Sequence, residues 1–256
     1  MNKTRFRFAL RAFGWHLAGS VLVAALASWV VFVLWYPEPY ASLLGGAQLF
    51  LLVVAVDVVC GPLLTFVLFN PQKPRRELTL DLGLVALVQA AALLYGLHTV
   101  WLARPVYLAF ELDRFRVVTF ADIDPSHWAQ RPADVPPPHW RGPHTMAVRV
   151  AQPEDADYLE QVELSVRGLE VVFRPDRWIP YAAAAQTLRE RAKTRDELVA
   201  KFPSAQRELD DLSVKGELPA ERLRWLPVQS RRHSDWVALV DSDSLAVVKF
   251  LHLDGF

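Results

Sequence analysis

Three long stretches almost free of charge fill most of the first hundred residues, and they constrain the fold more than any other feature of the chain. Crossing the hydrocarbon core of a bilayer takes roughly 20 apolar residues in a helix, and residues 13–36, 43–69 and 82–103 each reach that length. The first contains no charged group apart from a titratable His16. The second contains one acid, Asp57, and the third none apart from His98. A soluble protein would have to bury three such helices in succession. The pattern therefore predicts a three-helix transmembrane domain over 1–103. Charge is dense after 104, so 104–256 is expected to fold as a separate polar domain joined through Arg104 and Pro105. The formal net charge is +0, which removes the global basic field that nucleic-acid binding uses. Cys60 is the single cysteine, so an internal disulfide is excluded.

Short loops rich in Lys and Arg stay on the cytoplasmic side of a membrane. Lys3, Arg5, Arg7 and Arg11 precede the first stretch, and Lys73, Arg75 and Arg76 lie between the second and third. Both segments are expected to be cytoplasmic anchors. The first loop, Pro37-Glu38-Pro39, has no Lys or Arg and sits between aromatic residues, so it is expected outside. Three crossings then place 104–256 beyond the cytoplasm. Ala25-Leu26-Ala27 looks like a signal cleavage site, but the apolar run continues to Tyr36, longer than a signal sequence needs. An uncleaved anchor is the expectation.

Asp57 lies near mid-span, where a carboxylate costs at least a few kcal/mol unless paired, hydrated or protonated. Five residues later Gly61-Pro62 interrupts the helix, and Pro62 has no N–H for the carbonyl of Val58. Counting twelve residues inward from 69 and from 82 sets Asp57 level with Leu94-Tyr95, so the Tyr95 hydroxyl is the predicted partner. The acid would then serve proton-linked switching or recognition of a partner helix, or would simply hold the bundle together. Gly45, Gly46, Gly61 and Gly83 would allow close helix approach.

The polar half predicts an α+β domain. A hairpin is expected over 104–120 with Asp113-Arg114 as its turn, then a proline-rich loop over 125–143. Further strands are expected at 146–150, 169–173, 223–228, 236–241 and 245–251, with helices at 153–166 and 180–201 and a shorter one after Pro203. Strands at the two ends would pair in one antiparallel sheet. No phosphate loop, nucleophile elbow or paired metal ligands occur. His127, His139 and His144 read as a solvated loop, Asp122 and Asp124 as capping acids, and Trp128, Trp140, Trp178, Trp225 and Trp236 as core or anchoring residues. Neither metal nor cofactor is expected.

Particular strings go further. Asp57-Val-Val-Cys-Gly61-Pro62-Leu-Leu-Thr65, then Asn70-Pro71 and the basic run at Lys73, continue through Asp81-Leu82, Gln89, Tyr95-Gly96 and Arg104-Pro105 to Phe110-Glu-Leu-Asp-Arg-Phe115. Together with Arg224-Trp-Leu-Pro227 they resemble the type IV pilin accessory proteins of the TfpX/TfpZ family. That resemblance implies a bacterial inner-membrane protein with a cytoplasmic N-terminus and a periplasmic domain. It implies a non-enzymatic factor that promotes assembly or surface display of the major type IV pilin. The implied partners are that pilin, the inner-membrane assembly platform and membrane lipid. Asp57, Gly61, Pro62, Thr65 and Tyr95 would be its pilin-contact or helix-switch residues. The alternatives are a pilin-modifying membrane enzyme and a membrane-anchored periplasmic sensor.

Overall fold

The computed structural model describes residues 3–256, and the side chains of residues 3, 4, 46–49, 52 and 53 lie outside that description, as do the roles expected of Lys3 and Gly46. The chain divides into a helical unit ending at Arg104 and a sheet unit, Pro105–Phe256.

In the helical unit, α1 (Lys3–Trp29) runs on through a π-helical turn, Val30–Trp35. A short α2 (Tyr40–Leu43) leads to α3 (Gly46–Leu68), and α4 (Arg75–Leu102) completes the unit. Both α1 and α4 pack on α3. The helices outrun the apolar stretches at their basic ends, because Lys and Arg are good helix formers and nothing after Lys3 or Pro74 breaks the helix. Among the described residues, Arg5–Trp35 and Arg75–Leu102 are long and apolar enough to cross a membrane. The expected middle span corresponds to α3, whose described apolar stretch is the shorter Val54–Leu68. Trp15, Leu22, Val67 and Leu87 point outward and are all more than half exposed. A water-soluble bundle turns such side chains inward, so this arrangement suits membrane association.

Helix ends leave carbonyls without intrahelical donors. Arg5 supplies two at the end of α3, from Nη2 to Val67 O at 3.3 Å and from Nε to Phe69 O at 3.5 Å. At the other end of the unit, Tyr36 Oη donates to Val100 O at 3.0 Å.

The described residues of the second unit form an eight-stranded sheet. Its strands are β1 (Pro105–Glu111), β2 (Arg114–Thr119), β3 (His144–Val148), β4 (Trp178–Ile179), β5 (Lys193–Thr194), β6 (Leu223–Gln229), β7 (Trp236–Asp241) and β8 (Val247–Leu251). The order is β4-β3-β1-β2-β6-β7-β8, with β5 beside β6. The sheet is mixed rather than antiparallel, because β1 pairs β3 and β2 pairs β6 in parallel. Parallel neighbours require long crossovers, and the 125–143 loop supplies one of them. The hairpin turn falls on Leu112-Asp113, with Leu112 at φ 58°.

Four other expectations change. Residues expected as a strand at 169–173 end in a 3-10 turn, Val171–Phe173, and the 125–143 loop opens with another, Pro125–Gln130. The helix expected from 153 begins only at Tyr158 (α5, Tyr158–Val166). The helix expected over 180–201 is broken into a 3-10 turn, α6 (Ala185–Arg191), β5 and α7 (Arg195–Lys201). Thr194 causes the break. It caps α7 reciprocally with Glu197, its neighbour Lys193 pairs with Trp225 of β6, and its carbonyl accepts from Trp225 Nε1 at 2.9 Å.

The sheet carries two apolar cores. One gathers Tyr107, Val118, Met146, Phe173 and Trp178, and in it Trp178 Nε1 donates to Val172 O at 2.9 Å. The other sets α7 and α8 (Gln206–Val214) against β6, β7 and β8 around Trp225. Trp178→Ala should cost about 3–5 kcal/mol, seen as a lower denaturation midpoint of the full-length protein in detergent. A second test concerns pH. Arg222 Nε donates to Asp241 Oδ1 at 2.9 Å, and the Arg222 hydrogen bonds hold this carboxyl below the usual carboxylate range. An acid depressed in the folded state stabilises above its unfolded pKa and loses that contribution as pH falls through the folded value. Arg222→Met should therefore make unfolding less dependent on pH below about 4.

Candidate functional site

The polar groups of the helical unit meet where α1, α3 and α4 come together, and each is placed by helical periodicity along α3. Thr65 is 3% exposed and sits against His16 of α1, with its Oγ1 2.5 Å from the imidazole Nδ1. Two turns earlier, Gln89 of α4 reaches across α3, and its Nε2 donates to the backbone carbonyl of Asp57 at 2.9 Å. Gly61 makes that reach possible. A Cβ there would stand 1.9 Å from Gln89 Nε2, so only hydrogen fits beneath the carboxamide. Pro62 is buried beside it, and α3 continues through it without a break. The Asp57 carboxylate faces a cavity of about 320 Å³ lined from all three helices, including Ser20, Ala24, Ala86 and Gln89. Its Oδ2 is buried there without a hydrogen-bond partner.

Tyr95 is not the partner of Asp57. It is 75% exposed, and the residue that reaches Asp57 is Gln89, at the backbone carbonyl rather than the carboxylate. The expected level was counted from residue 82, whereas α4 starts at Arg75. That shift moves the matching residue nearly two turns back along the helix. Gln89 is the only carboxamide in 82–103, and that was the available signal. His16 had the same kind of signal, as the one titratable group in its stretch.

The five residues singled out on the membrane side do not share one surface. Gly61, Pro62 and Thr65 are interior, Asp57 borders the cavity, and Tyr95 faces out. In the basic segment, Lys73 Nζ pairs with Asp81 Oδ2 at 2.5 Å, while Arg75 and Arg76 are exposed on the first turn of α4. At the junction, the Arg104 guanidinium lies 3.4 Å from the Trp101 ring centroid and donates to Trp101 O at 2.8 Å. Pro105 begins β1.

The three loop histidines separate in the sheet unit. His127 Nδ1 is 2.8 Å from Asp124 Oδ2, and the His139 and His144 rings lie 5.6 Å apart. Burial, with His139 adding to it, lowers the His144 pKa. Asp122 and Asp124 cap 3-10 turns. Among the described residues, no group of three or more His, Cys, Asp or Glu is placed to hold a metal ion.

A family model described as fimbrial assembly protein FimB matches residues 4–45, which cover α1 and the first loop. The fimbrial assembly protein of serogroup I from Dichelobacter nodosus is 34% identical over 257 residues, spanning 100% of this chain and 99% of that protein. The chain belongs to the fimbrial assembly protein family. The serogroup E1 protein of the same organism is 33% identical over the same span, and that of serogroups C1 and C2 is 46% identical over 123 residues, 48% of this chain and 94% of that protein. No solved structure matches. The fimbrial part of the resemblance read from the sequence is thus carried by the relatives' names, and a TfpX/TfpZ assignment is narrower than those names.

The seat of Gln89 on Gly61 can be tested directly. Gly61→Ala displaces only the flexible end of Gln89 and should cost about one hydrogen bond, 0.5–1.5 kcal/mol. Gly61→Leu should lower membrane accumulation severely, and Gln89→Ala should relieve Gly61→Ala, as read by thermal stability of the full-length protein in detergent.

Proposed function

We propose that this protein is a non-catalytic accessory factor of type IV fimbria biogenesis, held in the bacterial inner membrane by three helices. Its N-terminus lies in the cytoplasm and its sheet unit in the periplasm, and it binds the major fimbrial subunit, the pilin, to promote assembly or surface display. The observation that carries the reading is the similarity to fimbrial assembly proteins over the full chain, across both units. The names of those relatives describe assembly rather than a reaction.

The placement of charge supports the orientation. Arg75 and Arg76 occupy the first turn of α4, where the helix macrodipole disfavours cations. Anionic headgroups on the cytoplasmic face would offset that cost. Arg5 at the end of α3 brings a third basic side chain to the same end of the bundle. The membrane reading takes α3 as the middle span, its 23 residues being long enough to cross.

The test compares sheared surface pilin with total cellular pilin in a strain lacking the protein, and again when the retraction motor is also removed. Surface pilin should fall while total pilin and pilin mass stay unchanged, and recovery in the second strain would place the action on the balance of extension and retraction. Normal surface fimbriae with an altered pilin mass would replace this reading with a modifying enzyme.

A further inference from the structure

Helix α5 turns three apolar residues outward, while Tyr158 and Leu164 are half-buried on the side of Gln161. The only residue it buries is Gln161, 6% exposed, while Leu159, Val162 and Val166 are 78%, 44% and 84% exposed. These three recur at i, i+3 and i+7, so they form one apolar stripe along the outer face of the helix. Val162 and Val166 also line an open groove of about 450 Å³ whose walls include Leu112 at the hairpin turn, and Leu159 continues the stripe beyond it. At the base of the groove, Gln161 Oε1 accepts from Ala151 N at 3.0 Å, and its Nε2 is buried without a hydrogen-bond partner. A buried amide donor left unpaired costs about 1–3 kcal/mol. An exposed apolar stripe beside an open groove describes a surface that a partner can cover.

The charges decide what completes it. In α5 and the turn before it the acids are Glu154, Asp155, Asp157, Glu160 and Glu163, against Arg149, Arg167 and Arg177, which are paired with Asp155, Glu163 and Asp157, and Glu111 lines the groove as well. The face is therefore net acidic. A second copy would set like charges together, and an anionic bilayer surface would be repelled. Complementarity favours a peptide segment that carries apolar side chains and Lys or Arg.

We propose that α5 and its groove dock an apolar, net-basic segment of the fimbrial subunit. The proposal rests on the reading above that the subunit is the partner, and it names where on this protein the contact lies.

Photo-crosslinking residues placed at Leu159 and at Val166 of the full-length protein, in fimbriated cells, test it. Val214 on α8, 86% exposed, serves as the control position. Adducts with the fimbrial subunit should form from 159 and 166 and not from 214. Leu159→Asp and Val166→Asp change exposed residues, so the protein should accumulate normally while adduct yield and surface fimbriae fall at least about fivefold. Subunit adducts from 214 alone would overturn this docking surface and leave the assembly reading standing. Adducts from 159 and 166 with a second copy or with lipid only would overturn the stated occupant. Unchanged surface fimbriae in both Asp variants, with no subunit adduct at either position, would overturn the proposal outright, and only normal fimbriae in a strain lacking the whole protein would overturn the assembly reading as well.

Discussion

A polar group carried into an apolar helix bundle must find its partner within the bundle or leave a cost of several kcal/mol. The helical unit answers that constraint with cross-helix contacts, among them Gln89 lying over Gly61 and donating to the Asp57 carbonyl. The contact needs a glycine, a long carboxamide and the right helix start, and it sets the spacing of α3 and α4 together. His16 and Thr65 do the same for α1 and α3 near the basic end. The remaining polar group, the Asp57 carboxylate, is left facing the cavity among the three helices.

The sheet unit is governed by a different economy. It has enough polar surface to keep its charges wet and enough aromatic bulk to fill two cores, and the interior tryptophans each close a backbone group as well as a volume. Trp178 satisfies Val172, and Trp225 satisfies Thr194. Loss of either ring therefore leaves both a cavity and an unmet carbonyl. Against that order α5 is the exception, since Leu159, Val162 and Val166 face outward while Gln161 is buried.

Local patterns were enough for much of this fold. The apolar stretches mark the long helices, and the strands expected over 104–120, 223–228 and 236–241 match β1, β2, β6 and β7. Thr194-Arg-Asp-Glu197 is a capping box legible in the sequence, yet the alanine-rich run before it hid the end of α6. Gln89 was visible as an isolated carboxamide, but Tyr95 was preferred because the depth count began at the first apolar residue instead of the first helical one. Parallel pairing of β1 with β3 and of β2 with β6 leaves no mark on either strand alone, because it depends on how the intervening chain crosses over.

By itself the sequence determined which segments are apolar enough to form long helices, where charge begins, and that the polar half combines strands with helices. Each of these follows from the chemistry of residues close together along the chain. Only the tertiary structure decided that Gln89 meets Asp57 over Gly61, that the sheet is mixed, and that α5 turns its apolar stripe outward. Those outcomes depend on which distant segments share space, and a contact between residues 32 apart or more is set by helix starts, crossovers and packing that no local pattern encodes.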